Sequence, residues 1–111
     1  MTSQAGLDLK HILNDQCFKQ SVLFEACALK DEEKSLRLCK FFLQQGVLAT
    51  TADDLKQIPL YYAVREGHRQ VVELLVKEGS NVNHVDTYGQ TPIFYCIREG
   101  DIQTTQLLVS H

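Results

Sequence analysis

The sequence predicts an all-α solenoid of stacked helix-turn-helix units with short hairpin-like connections. Three observations carry this. The chain repeats itself at a spacing of 33 residues, each copy holds two short segments with an apolar face, and proline and glycine stand where those segments begin and stop. Residues 53–78 and 86–111 agree at 11 of 26 positions: Asp53/Asp86, Gln57/Gln90, Pro59/Pro92, Tyr62/Tyr95, Arg65/Arg98, Glu66/Glu99, Gly67/Gly100, Gln70/Gln103, Leu74/Leu107, Leu75/Leu108 and Val76/Val109. Ordinary residue usage produces roughly one or two such matches. The aligned differences Leu60/Ile93, Tyr61/Phe94, Ala63/Cys96 and Val64/Ile97 keep apolar positions apolar.

Residues 1–20 precede the repeats. Leu9, Ile12 and Leu13 share one helical face, so a helix over about residues 8–16 is expected to cap the first pair. The alternative is a disordered leader, because so short a segment does not hold a helix by itself. Residues 21–52 form a first, divergent copy. Phe41, Phe42, Leu43 and Gly46 lie 33 residues before Leu74, Leu75, Val76 and Gly79, whereas Leu23 and Ala26 match Leu60 and Ala63 at a spacing of 37. The four extra residues are assigned to the charged stretch 30–35, read as a solvated turn between helices where insertion is tolerated.

The second copy spans residues 53–85. Its Val71, Val72, Leu74, Leu75 and Val76 make a broad apolar helix face that Gly79 terminates. The third copy, residues 86–111, is truncated relative to it. Thr91-Pro92 suits a helix start: a threonine oxygen can accept from a first-turn amide, and proline at the first helical position loses no bond. Gly100 suits the stop, since a left-handed residue costs least as glycine. One helix pair cannot bury its own apolar surface, so neighbouring pairs must stack.

These residues resemble the ankyrin repeats. Asp86-x-x-Gly89-x-Thr91-Pro92-Ile93 followed by Gly100, Leu107 and Leu108 is similar to that family's signature, and Gly79-Ser80-Asn81-Val82-Asn83 resembles its connection into the next copy. The likeness covers 53–111 strongly and 23–52 less so. In the second copy Ile58 replaces the threonine and Lys56 the turn glycine, while Tyr61 and Phe94 stand where the family usually has histidine. Ile58 is therefore expected to leave the helix uncapped and Lys56 to take a positive φ, which weakens that turn.

Composition narrows the function. In 111 residues, 44% apolar and 23% charged, the longest apolar stretches are five residues, too short to span a bilayer, and no basic-then-apolar leader precedes the repeats. The expected location is intracellular, cytoplasmic or nuclear. A net charge of −3 offers no general attraction for nucleic acid. Cys17, Cys27, Cys39 and Cys96 are irregularly spaced and read as reduced thiols; with His11, His68, His84 and His111 they lack the paired spacing of a zinc site. No cofactor, metal or reaction is implied, and Asp31, Glu32 and Glu33 read as a wet turn rather than paired carboxylates.

The resemblance implies binding of a partner protein through the hairpin tips and inner helices of a concave face. Carried over by motif, it selects Asp54, Leu55, Gln57, Arg65 and Glu66 in the second copy and Thr87, Tyr88, Gln90, Arg98 and Glu99 in the third. Arg65 and Arg98 would stand as two rungs about 8–10 Å apart, matched to a segment with acidic groups, with Leu55 and Tyr88 for apolar contact. The alternative is an ion-pair ladder, Arg98 with Glu66 or Arg65 with Glu99. A methylammonium cage from Tyr61, Tyr62, Tyr88, Phe94 and Tyr95 is a weaker reading, since four of these rings occupy packing positions. Other functions consistent with the sequence are a regulatory or substrate-positioning arm of a larger enzyme and a spacer. The apolar end near Val109 is expected to continue into a longer array, to be covered, or to support self-association.

Overall fold

The computed structural model describes residues 16–111, with side chains from residue 21 onward. The capping segment expected over 8–16 lies outside the described residues except at its last position. The described helices are α1 (Gln16–Cys27), α2 (Glu32–Gln44), α3 (Pro59–Glu66), α4 (Arg69–Lys77), α5 (Pro92–Glu99) and α6 (Ile102–Val109), with no strand among the described residues. Consecutive helices form the pairs α1–α2, α3–α4 and α5–α6. Across pairs, α1, α3 and α5 pack in one row and α2, α4 and α6 in another, the arrangement of a solenoid.

The inner helices α3 and α5 are bounded as expected. Each begins at proline, and Gly67 and Gly100 end them at φ of 72° and 70°. The amides of Gly67 and His68 close on the carbonyls of Val64 and Ala63 at 3.1 and 3.0 Å, and those of Gly100 and Asp101 on Ile97 and Cys96 at the same distances. Their starts differ from expectation. The Thr91 side chain makes no capping hydrogen bond, and Ile58 in the same place has nearly the same backbone, φ −91° against −94°. Ile58 therefore gives up no cap, and its side chain, 1% exposed, is part of the core. Capping by side chains occurs on the outer row instead: Asp31 accepts from the amides of Glu33 and Lys34 at the start of α2, and Asp101 from that of Thr104 at the start of α6.

The four extra residues of the first copy do not enlarge a turn. They lengthen α2, which runs 13 residues against 9 in α4, by about one helical turn. Counted from the caps Asp31 and His68, Ser35 occupies the place of Val72; counted from the helix ends, Cys39 occupies it. Both are buried, one turn apart on one face, and the Ser35 hydroxyl donates to the Ala26 carbonyl at 2.7 Å. A full turn preserves which face meets the neighbour, and so the stack tolerates it.

The middle pair is the most sealed. Leu60, Tyr61, Ala63, Val71, Val72 and Leu75 are fully enclosed, each large apolar side chain contributing about 1.5–3 kcal/mol. Polar links between pairs accompany this packing: His68 Nε2 meets the Leu29 carbonyl, Ser80 Oγ donates to the Ala49 carbonyl at 3.3 Å, and the Tyr61 hydroxyl lies 2.6 and 2.7 Å from the carbonyls of His84 and Gln90. On the far side of the third pair the equivalent face is open. Phe94 is 43% and Ile97 64% exposed, whereas Tyr61 and Val64, one repeat earlier, are at 0% and 1%.

Candidate functional site

The two hairpin tips, 53–57 and 86–90, have the same wiring because each starts with an aspartate. Asp53 Oδ1 accepts the amides of Leu55 and Gln57 at 2.9 Å, and Asp86 Oδ1 those of Tyr88 and Gln90 at the same distance. Such a carboxylate substitutes for backbone partners in a tight turn. The turn then requires a left-handed residue, supplied by Gly89 at φ 73° and by Lys56 at φ 60°, as its replacement of glycine predicts. The tips join through the Thr87 amide on the Leu55 carbonyl at 2.9 Å, and His84 Nε2 lies 2.7 Å from the Lys56 carbonyl.

Below the tips, one residue from each inner helix binds the other carboxylate oxygen. Tyr62 donates its hydroxyl to Asp53 Oδ2, and Tyr95 donates to Asp86 Oδ2 at 2.6 Å. Asp86 Oδ2 also receives the Gln57 side-chain amide at 2.9 Å. Burial opposes the charge on Asp86, but donation from Tyr95, the Gln90 amide, Gln57 and the Tyr88 amide outweighs it and holds the carboxyl below its usual range. The same proximity acts in reverse on the phenols. Burial first, then Asp53, pushes Tyr62 up to about 12, and burial with Asp86 raises Tyr95.

Arg65 lies over this network. Its guanidinium carbon is 4.9 Å from the centre of the Tyr62 ring and 5.6 Å from that of Tyr95, and it donates to Gln57 Oε1. Arg98 sits 5.8 Å from the Tyr95 ring centre. Two cations thus share one aromatic ring, each placement of the kind worth about 0.5–1 kcal/mol where exposed. The expected arginine–glutamate ladder is not what forms. Among the described residues the ion pairs are Lys30 with Glu66 and Glu33 with Arg37, both at 3.4 Å.

The ten residues selected from the sequence therefore divide. Asp54, Leu55, Thr87, Tyr88, Arg65, Arg98 and Glu99 are exposed, Tyr88 at 63%, while Glu66 and Gln90 are half-buried. Gln57 is not on the surface. It is 2% exposed, because its amide bridges Arg65 on one side and Asp86 and Tyr95 on the other. The methylammonium cage is likewise not open: Tyr61 is fully enclosed, and the protein's own Arg65 lies over the Tyr62 and Tyr95 rings. Asp53 and Asp86 are absent from the residues the sequence selects, and Tyr62 and Tyr95 enter only through the cage, although all four are invariant between the two copies; that invariance is the available signal. Among the described residues no group of three or more His, Cys, Asp or Glu is placed to hold a metal, and no helix is long and apolar enough to cross a membrane.

Stacked helix pairs joined by exposed, aspartate-wired tips define a helical-repeat recognition scaffold. A family description of three ankyrin-repeat copies matches residues 23–111, and the chain belongs to the ankyrin-repeat family. It is similar to an ankyrin repeat, SAM and basic leucine zipper domain-containing protein of Ornithorhynchus anatinus, 35% identical in an alignment 82 positions long that covers 67% of this chain and 17% of that protein. It is also similar to an ankyrin repeat and KH domain-containing protein of Caenorhabditis briggsae, 44% identical over 41 residues, 37% of this chain and 2% of that protein. The chain thus spans a small part of either relative. Ankyrin repeats generally mediate protein–protein interaction and are typically non-catalytic.

Proposed function

We propose that the chain binds a partner protein through its concave face and reads an acidic, extended segment there. The observation that carries this is the state of Arg65 and Arg98: neither is joined to a carboxylate by an ion pair among the described residues, and both are held over the Tyr95 ring. A guanidinium positioned by an aromatic face keeps its outward donors for a second carboxylate, and little side-chain entropy remains to be lost on binding. Tyr88 and Leu55, exposed at the adjacent tips, add apolar contact. Asp54, Thr87 and Glu99 border the same face, with Glu66 and Gln90 partly accessible. Gln57 acts from below by fixing Arg65. The net charge of −3 disfavours nucleic acid as the ligand.

The test is titration of fluorescent glutamate-containing peptides against the natural chain, Arg98→Glu and Arg65→Glu, with thermal melts of each. Arg98→Glu is expected to lower affinity about tenfold or more while destabilising the fold by no more than about 0.5–1 kcal/mol, the worth of its contact with the Tyr95 ring. Arg65→Glu is expected to lower both affinity and stability, since it also withdraws a donor from Gln57. Equal affinity of all three proteins for every acidic peptide overturns the assignment.

A second reading rests on coverage. Because the matched relatives carry ankyrin repeats beside other domains, the array also suits the role of a positioning or regulatory arm within a larger protein, an enzyme included. Self-association is assigned to the exposed Phe94 and Ile97 face; sedimentation of the natural chain and of Ile97→Glu checks it, and concentration-independent monomers in both cases refute it.

A further inference from the structure

We propose that Cys27 and Cys39 are a redox-responsive pair that closes into a disulfide and staples the two helices of the first repeat. Their Sγ atoms lie 3.6 Å apart and both side chains are fully enclosed, Cys27 as the last residue of α1 and Cys39 in the middle of α2. A disulfide needs about 2.05 Å between sulfurs, so closure requires an approach of about 1.5 Å, within reach of small rotations about the two Cα–Cβ bonds. The helices are already tied at this level: Ser35, one turn before Cys39, donates to the carbonyl of Ala26, the residue before Cys27, at 2.7 Å. The extra turn of α2 is what brings Ser35 and Cys39 onto this face together. Cys96, in the third repeat, is also buried, and among the described residues it makes no sulfur contact.

The chemistry has a direction. The Cys27 thiol contact favours a thiolate on Cys39 against the opposing effect of burial, and Ser35 adds to it, while the same contact and burial keep Cys27 protonated. With hydrogen peroxide as oxidant, the Cys39 sulfur attacks one peroxide oxygen and the O–O bond breaks. Cys39 becomes a sulfenic acid, and the departing hydroxide takes up the proton that the thiol lost, leaving as water. The Cys27 sulfur then attacks the Cys39 sulfur, the S–O bond breaks, and a second water leaves with the Cys27 proton. Two thiols are oxidised by two electrons and one peroxide is reduced to two waters. Since both sulfurs are sealed, oxidation is slow in the closed repeat and faster in mild denaturant, which admits the oxidant at the expense of this preference for Cys39.

The test treats the full chain with hydrogen peroxide, blocks remaining thiols by alkylation, and maps peptides without reduction. The expected result is a peptide joining Cys27 to Cys39 with the loss of two hydrogen atoms, Cys96 still alkylated, and a melting temperature that rises on oxidation and returns with dithiothreitol. Cys17→Ser is expected to keep the linked peptide. The proposal is overturned if Cys27 and Cys39 alkylate separately, progress to sulfinic acid without linking, or pair with Cys17 instead. Mapping of the natural chain decides this without any substitution at Cys27 or Cys39.

Discussion

Gln57, at the end of one hairpin tip, donates its side-chain amide at 2.9 Å to Asp86, which opens the next. This bond joins the backbone link from the Thr87 amide to the Leu55 carbonyl in tying the second repeat to the tip of the third, and through its other end Gln57 accepts from Arg65. Asp86 gathers four donors at a position only 4% exposed. Asp86→Ala is expected to destabilise the chain by about 3 kcal/mol, because several buried donors lose their acceptor at once. Gln57→Ala is expected to cost about 1–3 kcal/mol, with a coupling of about 1–2 kcal/mol in the double-mutant cycle. Urea denaturation of the four proteins measures this, and a coupling near zero contradicts the network.

The same carboxylate makes stability depend on acid. Asp86 has its pKa lowered in the folded state, so its contribution is present above the unfolded value of about 3.9 and is lost as pH falls through the folded value. Stability is therefore expected to drop below about pH 4, and less so in Asp86→Asn. Urea melts between neutral pH and pH 3 follow it.

Tyr62 carries the opposite sign. Its phenol is pushed up to about 12, so the stability it contributes is intact below the unfolded value of about 10 and is lost as pH rises from there toward 12. Alkaline titration of phenolate absorbance is expected to show Tyr62 ionising well above 10, toward 12, with unfolding accompanying that step. A single transition near 10 for every tyrosine contradicts this.

Lys56 occupies a glycine conformation, φ 60°, at the tip of the second repeat. A non-glycine residue there costs about 1–2 kcal/mol, partly offset by the greater freedom glycine has when unfolded. Lys56→Gly is expected to stabilise the chain by about 0.5–1 kcal/mol and to leave the proposed binding of acidic peptides unchanged. Denaturation and peptide titration together check both halves.

The helix starts give a paired comparison. Thr91 makes no side-chain cap, and Ile58 already holds its place in the other copy, so Thr91→Ile is expected to alter stability by less than about 0.5 kcal/mol. Asp101 does cap, accepting from the Thr104 amide at 3.1 Å, and Asp101→Ala is expected to cost about 1 kcal/mol. Equal effects of the two substitutions contradict the capping assignment.

The sequence by itself determined the class of fold, the number of copies and the punctuation of the inner helices. Those features are local or periodic: proline and glycine act on their own φ, and a 33-residue identity survives in one dimension. It also marked Lys56 for a positive φ, since a repeat shows what its neighbour needs at the same place. Only the tertiary structure decided where the four extra residues go, because a turn and an added helical turn accommodate the same count and differ only in what they meet; burial of both Ser35 and Cys39 distinguishes them. It likewise decided that Gln57 turns inward, that Arg65 and Arg98 share the Tyr95 ring rather than pairing with glutamates, and that two cysteines 12 positions apart become sulfur neighbours. Apart from the contact of Arg98 with Tyr95, three residues earlier on the same helix, each of these depends on distances between different pairs or between the two helices of one pair. Such distances are set by how whole apolar faces settle against one another, which a residue's type and spacing do not encode.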